Sequence, residues 1–134
     1  MNMWEKKVHV KSSLPKKKGQ WSLFIGRWQP LHEGHKALFR QVINEGGKVL
    51  VAIRAVEPDE KNPFTAHQIM LNIYEELKTE IETGKLNVIT IPDICSVEFG
   101  RGVGYDIIEH IPPQEIHDIS ATQIREQMKK EGKL

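Results

Sequence analysis

The stretch Trp21-Ser22-Leu23-Phe24-Ile25-Gly26-Arg27-Trp28-Gln29-Pro30-Leu31-His32-Glu33-Gly34-His35 decides the fold. Its first five residues form a short apolar run that reads as a buried parallel strand. Beyond it, Lys36 to Ile43 places Ala37, Leu38, Val42 and Ile43 at the spacing of a helix with one buried face. His32 and His35 therefore sit at a strand-to-helix junction. The first N–H groups of a helix lack internal partners and the helix dipole is positive there, so a phosphate is favoured. His32, Gly34 and His35 are expected to face that anion. Gly34 lets the backbone come close to a ligand, and Pro30 fixes the turn that leaves the strand. An imidazole suits the position because it donates a hydrogen bond to a phosphate oxygen and changes charge near neutral pH.

Outward from this junction, Gly46-Gly47 ends the first helix and Lys48 to Arg54 reads as a β-rich buried strand. Ala55 to Thr65, with Pro58 and Pro63 among charges, is a loop. Thr65 caps a helix predicted from Ala66 to about Thr83, in which Ile69, Ile73, Leu77 and Ile81 recur every four residues. Gly84 closes it, and Leu86 to Ile91 makes a third strand stopped by Pro92. Cys95 to Phe99 and Tyr105 to Ile111 are each strand-like, with the turn Gly100 to Gly104 between them. Pro112-Pro113 interrupts, and Ser120 opens a last helix to about Glu131. Strands alternating with helices predict right-handed crossovers and a parallel sheet. Ligands of such a sheet bind beyond the carboxyl ends of its strands, which brings Arg54 toward the histidines.

Gly26 to His35 resembles the G-x-F-x-P-x-H-x-G-H signature of the nucleotidylyltransferase superfamily, with Trp28 where phenylalanine is usual. Ile119-Ser120-Ala121-Thr122-Gln123-Ile124-Arg125 resembles that superfamily's second signature, I-S-x-T-x-x-R. Asn62-Pro63-Phe64-Thr65-Ala66 is similar to the loop entering the second helix of archaeal nicotinamide-nucleotide adenylyltransferases. The resemblance implies an α/β fold, a Rossmann-like open parallel sheet with flanking helices in a single domain. It implies that His32, His35 and Arg125 are catalytic. Gly26, Arg27, Trp28, Gly34, Lys36, Ser120, Ala121 and Thr122 would bind the nucleotide, with the Ser120 and Thr122 hydroxyls on the β- and γ-phosphates. Arg54, Asn62, Phe64 and Arg101 are the candidates for the acceptor. Mg²⁺ is expected on the phosphates, held mainly by nucleotide oxygens and water, with Asp93 read either as a solvated loop residue or as an aid to the ion.

At 134 residues, with 39% hydrophobic and 28% charged residues, the chain has the make-up of one globular domain. No apolar run is long enough to span a bilayer, and the first residues lack the apolar core of a signal peptide. A cytoplasmic location is expected, with no membrane partner. The single cysteine, Cys95, excludes an intrachain disulfide and reads as a small packing residue. The net charge of +1 argues against general nucleic-acid binding, although residues 1–20 set six lysines against Glu5 and hold +5, leaving −4 for the rest. Residues 1–20 are read as a basic tail or edge segment, in which Trp4, Val8 and Val10 alternate with polar residues, and residues 21–134 as the nucleotidylyltransferase domain. The assembly state is open, a homo-oligomer included.

Three chemistries are excluded by spacing. His32-Glu33-Gly34-His35 lacks the i,i+4 histidines of a zinc helix. Gly100 to Gly104 is not the dinucleotide fingerprint, and no P-loop sequence exists. His67, His110 and His117 read as surface polar residues. The expected activity is transfer of AMP from ATP to a small phosphorylated acceptor, nicotinamide mononucleotide-like, with release of pyrophosphate. The alternatives are a cytidylyltransferase using CTP and an alcohol or polyol phosphate, and a non-catalytic nucleotide-binding module. Two departures bear on the choice: His67-Gln68 stands where archaeal relatives often carry an acidic or arginine pair, and Pro112 to Asp118 lacks the glycine and arginine-threonine approach of the cytidylyl subgroup.

Overall fold

The computed structural model describes residues 5–10, 19–100, 106–111 and 121–134. Its centre is a three-stranded parallel sheet of β2 (Trp21–Gly26), β3 (Lys48–Ala55) and β4 (Leu86–Pro92), in the order β2-β3-β4. In register, Leu23 lies opposite Leu50, and Leu50 opposite Asn87. Helix α1 (Glu33–Asn44) crosses from β2 to β3, and α2 (Ala66–Glu76) with α3 (Lys78–Glu82) crosses from β3 to β4. A second sheet pairs β1 (Glu5–Val10) antiparallel with β5 (Ile107–Ile111), with a bulge between Val8 and Val10. The last helix, α4, spans Ala121–Lys130. The chain has an α/β, Rossmann-like fold with an open parallel sheet and flanking helices.

β3 is the middle strand, and its alternation shows where the core lies. Val49, Val51 and Ile53 are fully buried on the face packed by α1 and α2, where Phe39, Ile69, Ile73 and Leu77 meet them. Phe24 turns the same way and meets Phe39 edge to face, with ring centroids 5.2 Å apart. Burying these aliphatic and aromatic side chains contributes about 1.5–3 kcal/mol each.

Four expectations change. The run from Trp21 to Ile25 is a strand but not a buried one: Trp21 and Leu23 are 50% and 55% exposed, because β2 edges the three-stranded sheet and these two residues point away from the helices. The helix expected from Ala66 to about Thr83 breaks at Leu77, whose φ of −120° and ψ of 32° leave the helical region while its side chain is fully buried. Holding Leu77 in the core thus divides the segment in two, although the spacing of four continues to Ile81. Cys95 to Phe99 forms no strand and its Cys95, Val97 and Phe99 are exposed, so Cys95 is not a packing residue. The strand expected from Tyr105 starts at Ile107. Tyr105, Pro112-Pro113, His117 and the lysines of 11–18 lie outside the described residues. No helix among the described residues is long and apolar enough to cross a membrane.

Candidate active site at the carboxyl ends of the strands

The turn from β2 into α1 is built around a strained tryptophan. Trp28 has a φ of 53°, a left-handed conformation that is costly for a bulky side chain. The indole is held there because Nε1 donates to the carbonyl of Ala52 on β3 at 3.1 Å and the ring packs edge to face on Phe39. Gly26 is required by the same fold-back: a Cβ at that position would come within 2.8 Å of the indole. The Gln29-Pro30 peptide is cis.

His32 is the N-cap of α1. Its Nδ1 accepts from the backbone N–H of Gly34 at 3.1 Å and of His35 at 3.4 Å, while Nδ1 of His35 accepts from the backbone N–H of His32 at 3.2 Å. This is a capping box made of two imidazoles. With Nδ1 an acceptor in both rings, the proton of each neutral imidazole sits on Nε2, which is left to donate. The rings stack with centroids 3.6 Å apart, and Trp28 meets His35 edge-on at 4.8 Å. Two expectations shift here. The amides of Gly34 and His35, expected to face an anion, are occupied by His32. Nor does His35 titrate near neutrality: burial, with the electrostatic influence of the neighbouring His32, pushes it down to about 3, while burial lowers His32 against the pull of Glu33. Both rings are neutral donors at pH 7.

Gln29 joins the site's parts. Although polar, it is only 5% exposed, because its amide donates from Nε2 to the carbonyl of Phe64 at 2.8 Å and accepts at Oε1 from the N–H of Phe64 at 3.0 Å. This pins the loop of residues 56–65 to the histidine turn. From the other side, Nη1 of Arg125 donates to the carbonyl of Gln29 at 2.6 Å, and Nη2 lies 3.3 Å from Oγ1 of Thr122. The start of α4 is thereby brought onto the turn that carries His32 and His35. Ser120 and Arg101 lie outside the described residues, as does the side chain of Ala121.

Of the two cations flanking the histidines, neither is simply solvated. Lys36 is paired with Glu33 at 2.6 Å and Glu76 at 3.1 Å, with only 12% of its side chain exposed, so it ties α1 to α2. Arg27 reaches Asp93 just past β4, with Nη2 at 3.3 and 3.2 Å from the two carboxylate oxygens. Nη2 of Arg54 lies 2.8 Å from Oδ1 of the same carboxylate and donates to the carbonyl of Ile94 at 2.7 Å. Asp93, read from sequence as an aid to Mg²⁺ or a solvated loop residue, is an arginine ligand. Among the described residues no group of three histidines, cysteines or carboxylates is placed to hold a metal ion. A cleft of about 480 Å³ opens beside this cluster, lined by Arg27, Val56, Glu57, Asp59, Asn62 and Asp93. Asn62 is held in its wall by Oδ1 of Asp59, which accepts from the Asn62 N–H at 2.7 Å. Phe64 contributes its backbone to Gln29.

Sequence reasoning missed Gln29, which no spacing marks, and the clamping role of Asp93. A signal for Asp93 existed, since it directly follows the residue that stops the third strand and so sits with the ligand-facing strand ends.

Residues 23–73 match the family model described as Cytidylyltransferase-like. A nicotinamide-nucleotide adenylyltransferase of Methanococcus aeolicus is 36% identical over 59 residues, 42% of this chain and 34% of the relative. One from Thermococcus sibiricus is 35% identical over 75 residues, 54% and 40% of the two chains. One from Methanococcus maripaludis is 32% identical over 94 residues, 69% and 52%. The matched stretch thus spans a third to about half the length of these relatives.

Proposed function

We infer that this chain, which belongs to the nucleotidylyltransferase superfamily, transfers AMP from ATP to a small phosphorylated acceptor resembling nicotinamide mononucleotide. A phosphate oxygen of the acceptor attacks the α-phosphorus, the bond to the β-phosphate oxygen breaks, and pyrophosphate leaves. The observation that carries this reading is the meeting of the stacked His32–His35 pair with Arg125 on one turn, through the carbonyl of Gln29. In this reading the Nε2–H groups of the neutral imidazoles donate to the triphosphate. Positive charge comes from Arg125, because Lys36 is held by two glutamates and Arg27 is bound to Asp93. In this reading the Thr122 hydroxyl, exposed at the start of α4, binds the β- and γ-phosphates, and the second signature gives Ser120 the same role. The names of the relatives support ATP and the nicotinamide nucleotide.

Reactions of this class run with a divalent cation on the phosphates, and we take Mg²⁺ as that ion. The described residues do not form a cage for it, and the Asp93 carboxylate is engaged by two guanidiniums, so the ion would arrive on the triphosphate. Residues 21–134 carry the activity in this reading, β1 (Glu5–Val10) adds an edge strand, and the setting is the cytoplasm.

The Cytidylyltransferase-like match favours a second reading, CTP with an alcohol or polyol phosphate. Pyrophosphate release measured with ATP or CTP against a panel of phosphorylated acceptors separates the two. The expected result is release with ATP and nicotinamide mononucleotide; preference for CTP selects the second reading. Binding of nucleotide without turnover on any acceptor would make the chain a binding module. In His35→Ala, turnover is expected to fall by about 10²–10⁴ while ATP affinity falls by less than about tenfold, the pattern of a donor used mainly in the transition state.

A further inference from the structure

We propose that Asp93 is a positioning residue, holding Arg27 and Arg54 as a pair across the ends of the three parallel strands so that the pair receives the phosphate of the acceptor in the adjoining cleft. The inference rests on the transferase reading above. Arg27 follows β2, Arg54 lies near the end of β3 and Asp93 follows β4, so a single carboxylate stitches all three strand ends together. Its Oδ1 is shared by both guanidiniums, at 3.3 Å from Arg27 and 2.8 Å from Arg54.

Arg27, Arg54 and Asp93 together carry one net positive charge, set in a cleft whose wall also holds Glu57 and Asp59. Both Nε atoms are also buried with no hydrogen-bond partner, although Arg27 and Arg54 keep 39% and 28% of their side chains exposed. A buried N–H without a partner is costly, and an incoming anion would meet each guanidinium on the exposed part of its side chain, not at Nε. Arg27 and Asp93 both line the cleft of about 480 Å³, a volume that suits a mononucleotide-sized ligand. Without the carboxylate, two unscreened guanidiniums at neighbouring strand ends repel each other and leave the geometry that a phosphate would read.

The test compares wild type with Asp93→Asn and Asp93→Glu, using steady-state kinetics with ATP and nicotinamide mononucleotide and calorimetric titration with ribose 5-phosphate as the probe. In D93N the acceptor KM is expected to rise at least tenfold and ribose 5-phosphate affinity to fall at least fivefold, while the ATP KM changes less than twofold. D93E, which keeps the charge, should recover at least half of the lost affinity. A merely structural role would lower thermal stability and the active fraction with both KM values unchanged, and that result overturns the proposal. So does a raised Mg²⁺ requirement with an unchanged acceptor KM, which would return Asp93 to the metal. If wild type transfers nothing to any acceptor, the transferase reading fails, and the ribose 5-phosphate titration still decides the arginine clamp on its own.

Discussion

Nδ1 of His32 takes two backbone N–H groups that would otherwise begin α1 without partners, so this side chain has a structural duty beside the chemical one proposed for it. The two duties separate by substitution. Asparagine is a strong N-cap and alanine a poor one, so His32→Ala should destabilise the fold by about 1 kcal/mol while His32→Asn stays close to wild type. Under the proposed function both should lose turnover, since neither carries an Nε2 donor on a stacked ring. Denaturation midpoints and turnover of the pair check this; full activity in H32N removes the imidazole from the chemistry. His35 makes a pH prediction. Burial lowers its folded pKa to about 3, whereas an unfolded histidine titrates near 6.5. Above about pH 6.5 both states are neutral and no dependence arises. Below it the unfolded state binds the extra proton, so stability is lost progressively as pH falls toward 3. The unfolding free energy should therefore decline from pH 6.5 to pH 4, and less steeply in His35→Gln; equal slopes would show that the ring is not held neutral.

Among the elements, the turn between β2 and α1 depends on partners far away in sequence. Gln29 bonds both backbone groups of Phe64, and truncating it strands a buried N–H and a carbonyl. Gln29→Ala is expected to cost about 1–3 kcal/mol and to free the loop of residues 56–65, measurable as a lower thermal midpoint and faster amide exchange at Phe64. An unchanged exchange rate there would mean that the loop is held by something else. The helices themselves were readable: Thr65 caps α2 in a box with Gln68, as its residue type and position predict. The break at Leu77 was not, because the four-residue repeat passes through it unchanged. What interrupts the helix is the fit of Leu77 into a core shared with β3 and β4, a tertiary cause that leaves no local mark. Likewise Cys95 to Phe99 has the composition of a strand, but composition does not supply a neighbour to pair with.

At the scale of the molecule, the antiparallel pair of β1 and β5 joins the first residues to a segment a hundred positions later. Deleting residues 1–10 should expose the edge of β5, speeding amide exchange over Ile107–Ile111 while leaving Val49–Ile53 protected by the parallel sheet. Equal protection of β5 in the shortened protein would show that its pairing with β1 contributes nothing. The sequence by itself determined the alternation of strands and helices, the placement of His32 and His35 at a helix start, and the likeness of both signatures to one superfamily. Each of these is a local pattern, written in residue types a few positions apart. Only the tertiary structure decided that the imidazoles are neutral and cap their own helix, that Arg125 reaches the Gln29 carbonyl, and that Asp93 holds two arginines instead of standing free. Burial and long-range hydrogen bonds set those outcomes, and both depend on which distant segments pack together, a quantity that no spacing along the chain records.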